Sequence, residues 1–327
     1  MHILVTGATG FIGSRLCLAL AEQGHTVHAL CRNVQHPLPP GHKNIIAFKG
    51  DILHKPSLNT AMQGVHHVYH TAALAKMWVP DKNEFYTVNV TGTKNVLDAA
   101  MQNNITKVVH TSTCGVWGPT VKHPMTEDDP RITGFAIDYE RTKYLAELEV
   151  QAYCQKGLTA VIVNPSRVYG EGPVTESNTV GKMITAYLQG KWHINPASGK
   201  QVSNYAYLGD VVNGHIAAMD KGVTGNRYIL GGEDVSFNNF FDLLKKISGT
   251  QYKLYKTPQK LIKLYSYIEA FKTAVTGLPP VFLPAFADRL KYDQKYSSNK
   301  AIQQLNYSIT PFATGFAKTI AYLKQLA

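Results

Sequence analysis

Ile3-Leu4-Val5-Thr6-Gly7-Ala8-Thr9-Gly10-Phe11-Ile12-Gly13 opens the chain, and its reading decides the fold. An apolar run of strand character meets three glycines spaced three apart. A helical pattern then runs to about Gln23. Each glycine answers a physical need. Gly7 permits a tight turn, Gly10 lets the backbone approach a pyrophosphate, and Gly13 lets the helix pack closely on the strand. The helix N-terminus then offers free N–H groups and a positive dipole end to phosphates. Gly7, Thr9, Gly10, Phe11, Ile12 and Gly13 are therefore candidates to hold a dinucleotide.

The next strand, Thr26 to Leu30, selects among dinucleotides. An acid at its end would bond the ribose 2′-hydroxyl of NAD. The sequence there reads Leu30-Cys31-Arg32-Asn33, without an acid. Arg32 suits a 2′-phosphate through its planar fork, so NADP is expected over NAD.

Outward from this stretch, short apolar runs alternate with helical patterns. Pro37, Pro39, Pro40 and Gly41 predict a loop. Strands are expected at Ile45 to Phe48, His67 to His70, Lys107 to Thr111 and Thr159 to Val163. Helices are expected from about Asn89 to Met101 and from about Asp138 to Lys156. Strands separated by helices of this length pair in parallel through crossovers, which predicts an α/β doubly wound sheet. Beyond Asn164 the pattern loosens: a turn at Gly170 to Pro173, a helix near 176–190, a strand at Val202 to Leu208, a helix at Asp210 to Met219 and a strand at Tyr228 to Leu230. The last ninety residues read as helix-rich and broken by prolines, a smaller domain over the sheet's carboxyl edge. The expected division is 1–165 with a return segment of about 203–232 for the cofactor, and 166–202 with 233–327 for the substrate.

Composition narrows the classes. Of 327 residues, 44% are hydrophobic and 17% charged, as in a globular chain rather than a disordered one. The net charge of +11 would suit nucleic acid or an anionic surface. No nucleic-acid motif accompanies it, however. The densest cluster, Lys253, Lys256, Lys260 and Lys263, reads as a solvated face. Cys17, Cys31, Cys114 and Cys154 have neither zinc nor disulfide spacing, so reduced thiols, no metal and a cytoplasmic setting are expected. No signal peptide or spanning segment is read. The apolar stretch Thr276 to Phe286 holds three prolines and cannot be a continuous helix.

A second motif carries chemistry. In Tyr139-Glu140-Arg141-Thr142-Lys143, Tyr139 and Lys143 are four apart and share a helix face. A tyrosine near pKa 10 is a poor proton shuttle at neutral pH. A neighbouring ammonium favours the phenolate and is expected to lower that value. Tyr139 could then give a proton to a forming alkoxide or take one from an alcohol.

Together these motifs resemble the extended short-chain dehydrogenase/reductase superfamily, also described as the NAD-dependent epimerase/dehydratase family, over essentially the whole chain. Further segments are similar to the family's. Gly50-Asp51-Ile52 resembles the adenine-side segment, with Asp51 and Ile52 near the cofactor. His70-Thr71-Ala72-Ala73 resembles the stretch that passes it, and Asn89-Val90-Thr91-Gly92-Thr93 a helix start. His110 to Gly118 resembles the strand with the catalytic hydroxyl. Thr113 is its expected bearer and Ser112 the second choice. Asn164-Pro165-Ser166-Arg167-Val168-Tyr169-Gly170 resembles the segment bordering the nicotinamide. The resemblance implies a Rossmann-type sheet with a smaller C-terminal substrate domain. It implies Thr113, Tyr139 and Lys143 as catalytic residues, with Thr71, Ala72, Ala73, Asn89, Thr111, Pro165, Ser166 and Val168 at the cofactor. It also implies dimerisation through the Tyr139 helix and its neighbour, as is frequent in the family.

Three departures narrow the branch. Cys114-Gly115 replaces the dehydratases' Asp-Glu pair. Ser203 stands where nucleotide-sugar members commonly place an arginine for the diphosphate. The Arg32 region suits an exchangeable NADP. The stretches at 72–78 and 89–93 most resemble dihydroflavonol 4-reductase-like and 3β-hydroxysteroid dehydrogenase-like members, whose substrates are bulky and largely apolar. Lys76, Met77, Trp78, Thr113, Trp117, Tyr169 and Tyr205 are the candidate substrate contacts. The expectation is an NADP(H)-dependent oxidoreductase acting on a ketone, aldehyde or secondary alcohol. The alternatives are a nucleotide-sugar epimerase and a non-catalytic NADP-binding sensor or scaffold.

Overall fold

A computed structural model describes residues 1–34, 42–280 and 282–326. The loop expected at Pro37, Pro39, Pro40 and Gly41 lies outside them. Seven strands form the main sheet: β1 (His2–Thr6), β2 (Thr26–Cys31), β3 (Ile45–Lys49), β4 (His67–His70), β5 (Lys107–Thr111), β6 (Ala160–Pro165) and β10 (Arg227–Leu230). All neighbours pair in parallel, in the order β10-β6-β5-β4-β1-β2-β3. The strand order reverses between β1 and β4. In a doubly wound sheet, that switch point is where a crevice opens at the strands' carboxyl ends.

Helices cover both faces because the strands are apolar on both sides. Helices α1 (Phe11–Glu22) and α7 (Leu208–Lys221) pack one face through Leu16, Leu20, Val211 and Met219. On the other lie α2 (Lys55–Met62), α4 (Gly92–Gln102) and α5 (Asp138–Gln155), through Leu58, Val96, Leu97 and Val150. Helix α2, in a polar sequence, was not anticipated. Pro56 at its start and the His54 side chain accepting from Ser57 N–H set its N-terminus. The helix expected from Asn89 begins earlier. The short α3 (Asn83–Tyr86) leads through a π-turn at Thr87–Thr91 into α4.

The remaining strands make two small sheets. Strand β9 (Val202–Tyr207) runs parallel to β7 (Arg167–Tyr169) and antiparallel to β11 (Glu233–Ser236). It therefore stands outside the main sheet, although the sequence placed it in the return segment. Strands β8 (Ile194–Pro196) and β12 (Tyr255–Thr257) pair in parallel. Around them pack α6 (Thr179–Leu188), α8 (Phe237–Ser248), α9 (Gln259–Thr276), α10 (Pro284–Arg289) and α12 (Phe312–Gln325). Their core is aromatic, with Tyr169, Tyr187, Tyr205, Phe240, Phe241, Phe312 and Phe316. Between α10 and α12, α11 (Asn299–Leu305) joins the main sheet's core through Ala301 and Leu305. Among the described residues no helix is long and apolar enough to cross a membrane.

Candidate active site

The crevice at the switch point is lined by the glycine turn after β1 and the loop after β4. Gly7 has φ +71°, a conformation L side chains rarely adopt, and a Cβ there would lie 2.7 Å from Ala72 N. A Cβ on Gly13 would lie 2.2 Å from Gly7 O and 2.7 Å from Thr71 Oγ1. Thr71 Oγ1 itself donates to Thr6 O at 2.7 Å, locking the two loops together. Helix α1 starts at Gly10 with no side-chain cap, so its first N–H groups face the crevice unblocked. Thr9 is exposed there, Ile12 half-buried and Phe11 buried. Arg32 is exposed just past β2. This cradle of bare backbone and an uncapped helix end fits the pyrophosphate of a dinucleotide.

Asp51 accepts from Leu53 N–H through Oδ1, which sets the turn after β3. Ile52 is buried and would contact a Cβ on Gly92 at 2.6 Å. Pro165 is buried, Ser166 and Val168 half-buried, where β6 passes into β7 at the crevice edge.

Two more of the expected cofactor residues, Asn89 and Thr111, have their side chains engaged within the protein. Asn89 is buried, accepts from Leu74 N–H at 2.7 Å and donates to Thr142 Oγ1 at 3.0 Å. It braces the 71–82 loop against α5. Thr111 Oγ1 pairs with His215 Nε2 of α7 at 2.8 Å. Successive strand residues face opposite layers, so Thr111 points away from α5 while His110 points toward it.

Helix α5 carries the Tyr139–Lys143 pair. Tyr139, Lys143 and Glu147 recur every four residues on one face. Thr113, extended at φ −157°, follows β5 and stands beside Tyr139. Its hydroxyl interaction favours the phenolate, but burial dominates and raises the Tyr139 pKa to about 12. The expected lowering by Lys143 is absent, because Lys143 Nζ lies 3.1 Å from His110 Nε2 instead. Lys143 is 1% exposed, and burial brings its pKa down to about 8, opposed by Glu147. His110 is held well below the ordinary histidine value, first by burial and then by Lys143, so it is the neutral acceptor. Ser112 faces Glu147 and favours its ionised form, whereas burial pushes the Glu147 carboxyl up. Of the two candidate hydroxyls, Thr113 is thus the one beside Tyr139. Glu147 also accepts from Asn164 Nδ2 at 2.6 Å, and Asn164 Nδ2 reaches Thr113 O at 3.2 Å.

Beside Tyr139, Glu140 is buried between Arg131, at 3.2 Å, and Arg289 of α10. Arg131 also donates to Gly115 O and Val116 O. This cluster ties α10 to α5. Neither His110 nor Glu147 was singled out in the sequence. For Glu147 the signal was present, one further i+4 step beyond Lys143.

Three aromatic candidates for substrate contact are core residues instead. Trp117 is 1% exposed, with Arg227 4.8 Å above its ring. Tyr169 and Tyr205 are packed in the aromatic core, against Phe312. Large rings bury where two lobes meet, and sequence type alone does not separate packing from recognition. Lys76 is exposed, and Met77 and Trp78 are half-buried, on the loop after β4. Among the described residues no histidine, cysteine or carboxylate cluster could hold a metal.

A family model described as NAD dependent epimerase/dehydratase family matches residues 3–231. The chain is 28% identical to sterol demethylase protein B of Methylococcus capsulatus, over 99% of each chain. It is 32% identical to a dihydroflavonol 4-reductase-like protein of Synechocystis sp., over 98% of this chain and 94% of the relative. The crystal structure of UDP-glucuronic acid 4-epimerase from Bacillus cereus, in complex with UDP-glucuronic acid and NAD, superposes with a TM-score of 0.79 at 26% identity, covering both chains fully. The chain belongs to the NAD dependent epimerase/dehydratase family, among the extended short-chain dehydrogenases/reductases.

Proposed function

We propose that the protein is an NADP(H)-dependent oxidoreductase that reduces a ketone or aldehyde of a bulky non-nucleotide substrate, or oxidises the corresponding secondary alcohol, in the cytoplasm. The observation that carries the reading is the Thr113–Tyr139 pair, two hydroxyls side by side at the sheet's carboxyl edge with Lys143 on the same helix face. Residues 1–165 with about 203–232 hold the cofactor in this reading, and 166–202 with 233–327 the substrate.

The bound nicotinamide supplies or accepts the hydride. Tyr139 Oη gives a proton to the substrate oxygen as negative charge develops, or takes it from the alcohol. Thr113 donates a hydrogen bond to the same oxygen, where it stabilises charge that exists only near the transition state. Lys143 would hold the nicotinamide ribose hydroxyls. An ammonium nearer the phenol than in this structure would bring the Tyr139 pKa down toward neutrality.

A non-nucleotide substrate is supported by the cations around the site. Ser203 is buried where a diphosphate-binding arginine is common. Arg131 and Arg289 are committed to Glu140, and Arg167 donates to Gln294 Oε1 at 3.2 Å. A diphosphate would have to take a guanidinium from a buried partner. Exposed Arg32 supports NADP.

The test is NADPH oxidation against a panel of aromatic, alicyclic and sterol ketones, beside thermal shifts with UDP- and dTDP-sugars. Turnover of an apolar ketone is expected. No turnover on any, with NAD retained in the purified protein and stabilisation by a UDP-sugar, would favour an epimerase instead.

A further inference from the structure

Helix α9 carries its apolar side outward. Its buried residues are Ile262, Ser266 and Glu269, a narrow stripe by which it rests on α10. Leu261, Leu264, Ile268, Phe271 and Val275 are exposed, Phe271 by 72% and Val275 by 70%. At about 100° per residue these five fall within an arc of roughly 80°, well round the helix from the buried stripe. The ridge is about 20 Å long, and Leu278 extends it past the helix end. Scattered exposed apolar residues are ordinary on a protein surface. A continuous apolar ridge is not.

The exposed charges on α9 itself are all positive. Lys256 and Lys260 are exposed at its N-terminal end, and Lys253 lies over the Tyr255 ring at 5.1 Å. Lys263 and Lys272 flank it, bonded to Asp288 at 2.9 Å and Glu269 at 3.6 Å. Glu269, the only acid in α9, is turned inward. A lysine-rich rim around an apolar ridge is the pattern of a helix lying in the plane of a bilayer interface. We propose that α9 docks this protein on anionic membrane surfaces, with the ridge in the headgroup–acyl boundary and the lysines on lipid phosphates. The helix is not both long and apolar enough to span. A second copy of the chain is the poorer occupant, since it would set one lysine rim against another within a protein of net charge +11. The docked helix would sit one element from the reacting edge, because α10 beneath it carries the Arg289 that meets Glu140. Docking is independent of which substrate the crevice takes.

Co-sedimentation of the full chain with vesicles tests this. Phosphatidylcholine vesicles carrying about one-third phosphatidylglycerol should bind it at least tenfold more tightly than phosphatidylcholine alone, and the gain should vanish in high salt. Phe271→Glu with Val275→Glu should abolish binding, and Lys256→Glu with Lys260→Glu should weaken it about tenfold or more. Both pairs are exposed, so unchanged melting temperatures would show intact folds. The proposal is overturned if the wild type stays in the supernatant with anionic vesicles. It is equally overturned if Phe271→Glu with Val275→Glu binds as well as wild type, or if that variant only converts a dimer to a monomer.

Discussion

Lys143 Nζ sits 3.1 Å from His110 Nε2, so the lysine is held by a neutral histidine rather than turned to Tyr139. The pair crosses from α5 to β5, with the Glu147 carboxyl one helical turn further along α5. His70, the next ring at 5.1 Å from His110, is driven by burial to a pKa of about 3 and stays neutral too.

A buried ammonium has a measurable cost. The Lys143 pKa in the folded chain, about 8, lies below the ordinary 10.5. Between those values the unfolded chain binds more protons, so stability rises with pH across that window. Below pH 8 the penalty is fully present. Lys143→Met in cofactor-free protein should therefore melt on the order of 2–6 °C higher than wild type at pH 7. The gap should narrow toward pH 10. Calorimetry across that range checks it, and a variant less stable at pH 7 would contradict it.

Tyr139→Phe removes the hydroxyl that the proposed reaction uses as proton donor and leaves the ring. Its kcat/KM should fall by about 10²–10⁴-fold while NADPH affinity changes little. Thr113→Val should fall less, by roughly 10–10³-fold, since it removes one hydrogen bond to the developing charge. Steady-state kinetics with fluorescence titration of NADPH separates the two effects.

Arg32 is expected to set the cofactor. Arg32→Gly removes a charge-assisted contact worth about 1.5–3 kcal/mol, so NADPH efficiency should drop roughly 10–150-fold while NADH is nearly unchanged. Equal losses for both cofactors would remove Arg32 from the 2′-phosphate.

Gly13→Ala places a methyl 2.2 Å from Gly7 O and should lower stability by about 1–3 kcal/mol and abolish dinucleotide binding. Gly24→Ala is the control. Gly24 has φ +84° but nothing within 4 Å of a Cβ, so only backbone strain of about 1 kcal/mol is expected, with binding intact. Urea denaturation and NADPH titration of both variants check the contrast.

Glu140→Gln would leave Arg131 and Arg289 facing each other without a counter-charge. A loss of about 3–5 kcal/mol in chemical denaturation is expected, because breaking a buried pair strands its partners.

Local sequence located the strands that form the main sheet, though not that β9 lies outside it, and it located the glycine turn and the Tyr139–Lys143 face. Each follows from short-range rules: short apolar runs, helix spacing, and the backbone freedom that glycine has at φ +71°. Helix α2 and the true start of the α3–α4 segment escaped, because polar composition and a π-turn blur the apolar period. What tertiary structure alone decided is which side chains meet. His110 faces Lys143 while its neighbour Thr111 faces His215. Tyr169 and Tyr205 vanish into a core. Lysines that read as a solvated face turn out to rim an apolar ridge. Such outcomes depend on packing between elements far apart in the chain, and no local pattern encodes which neighbour a side chain will find.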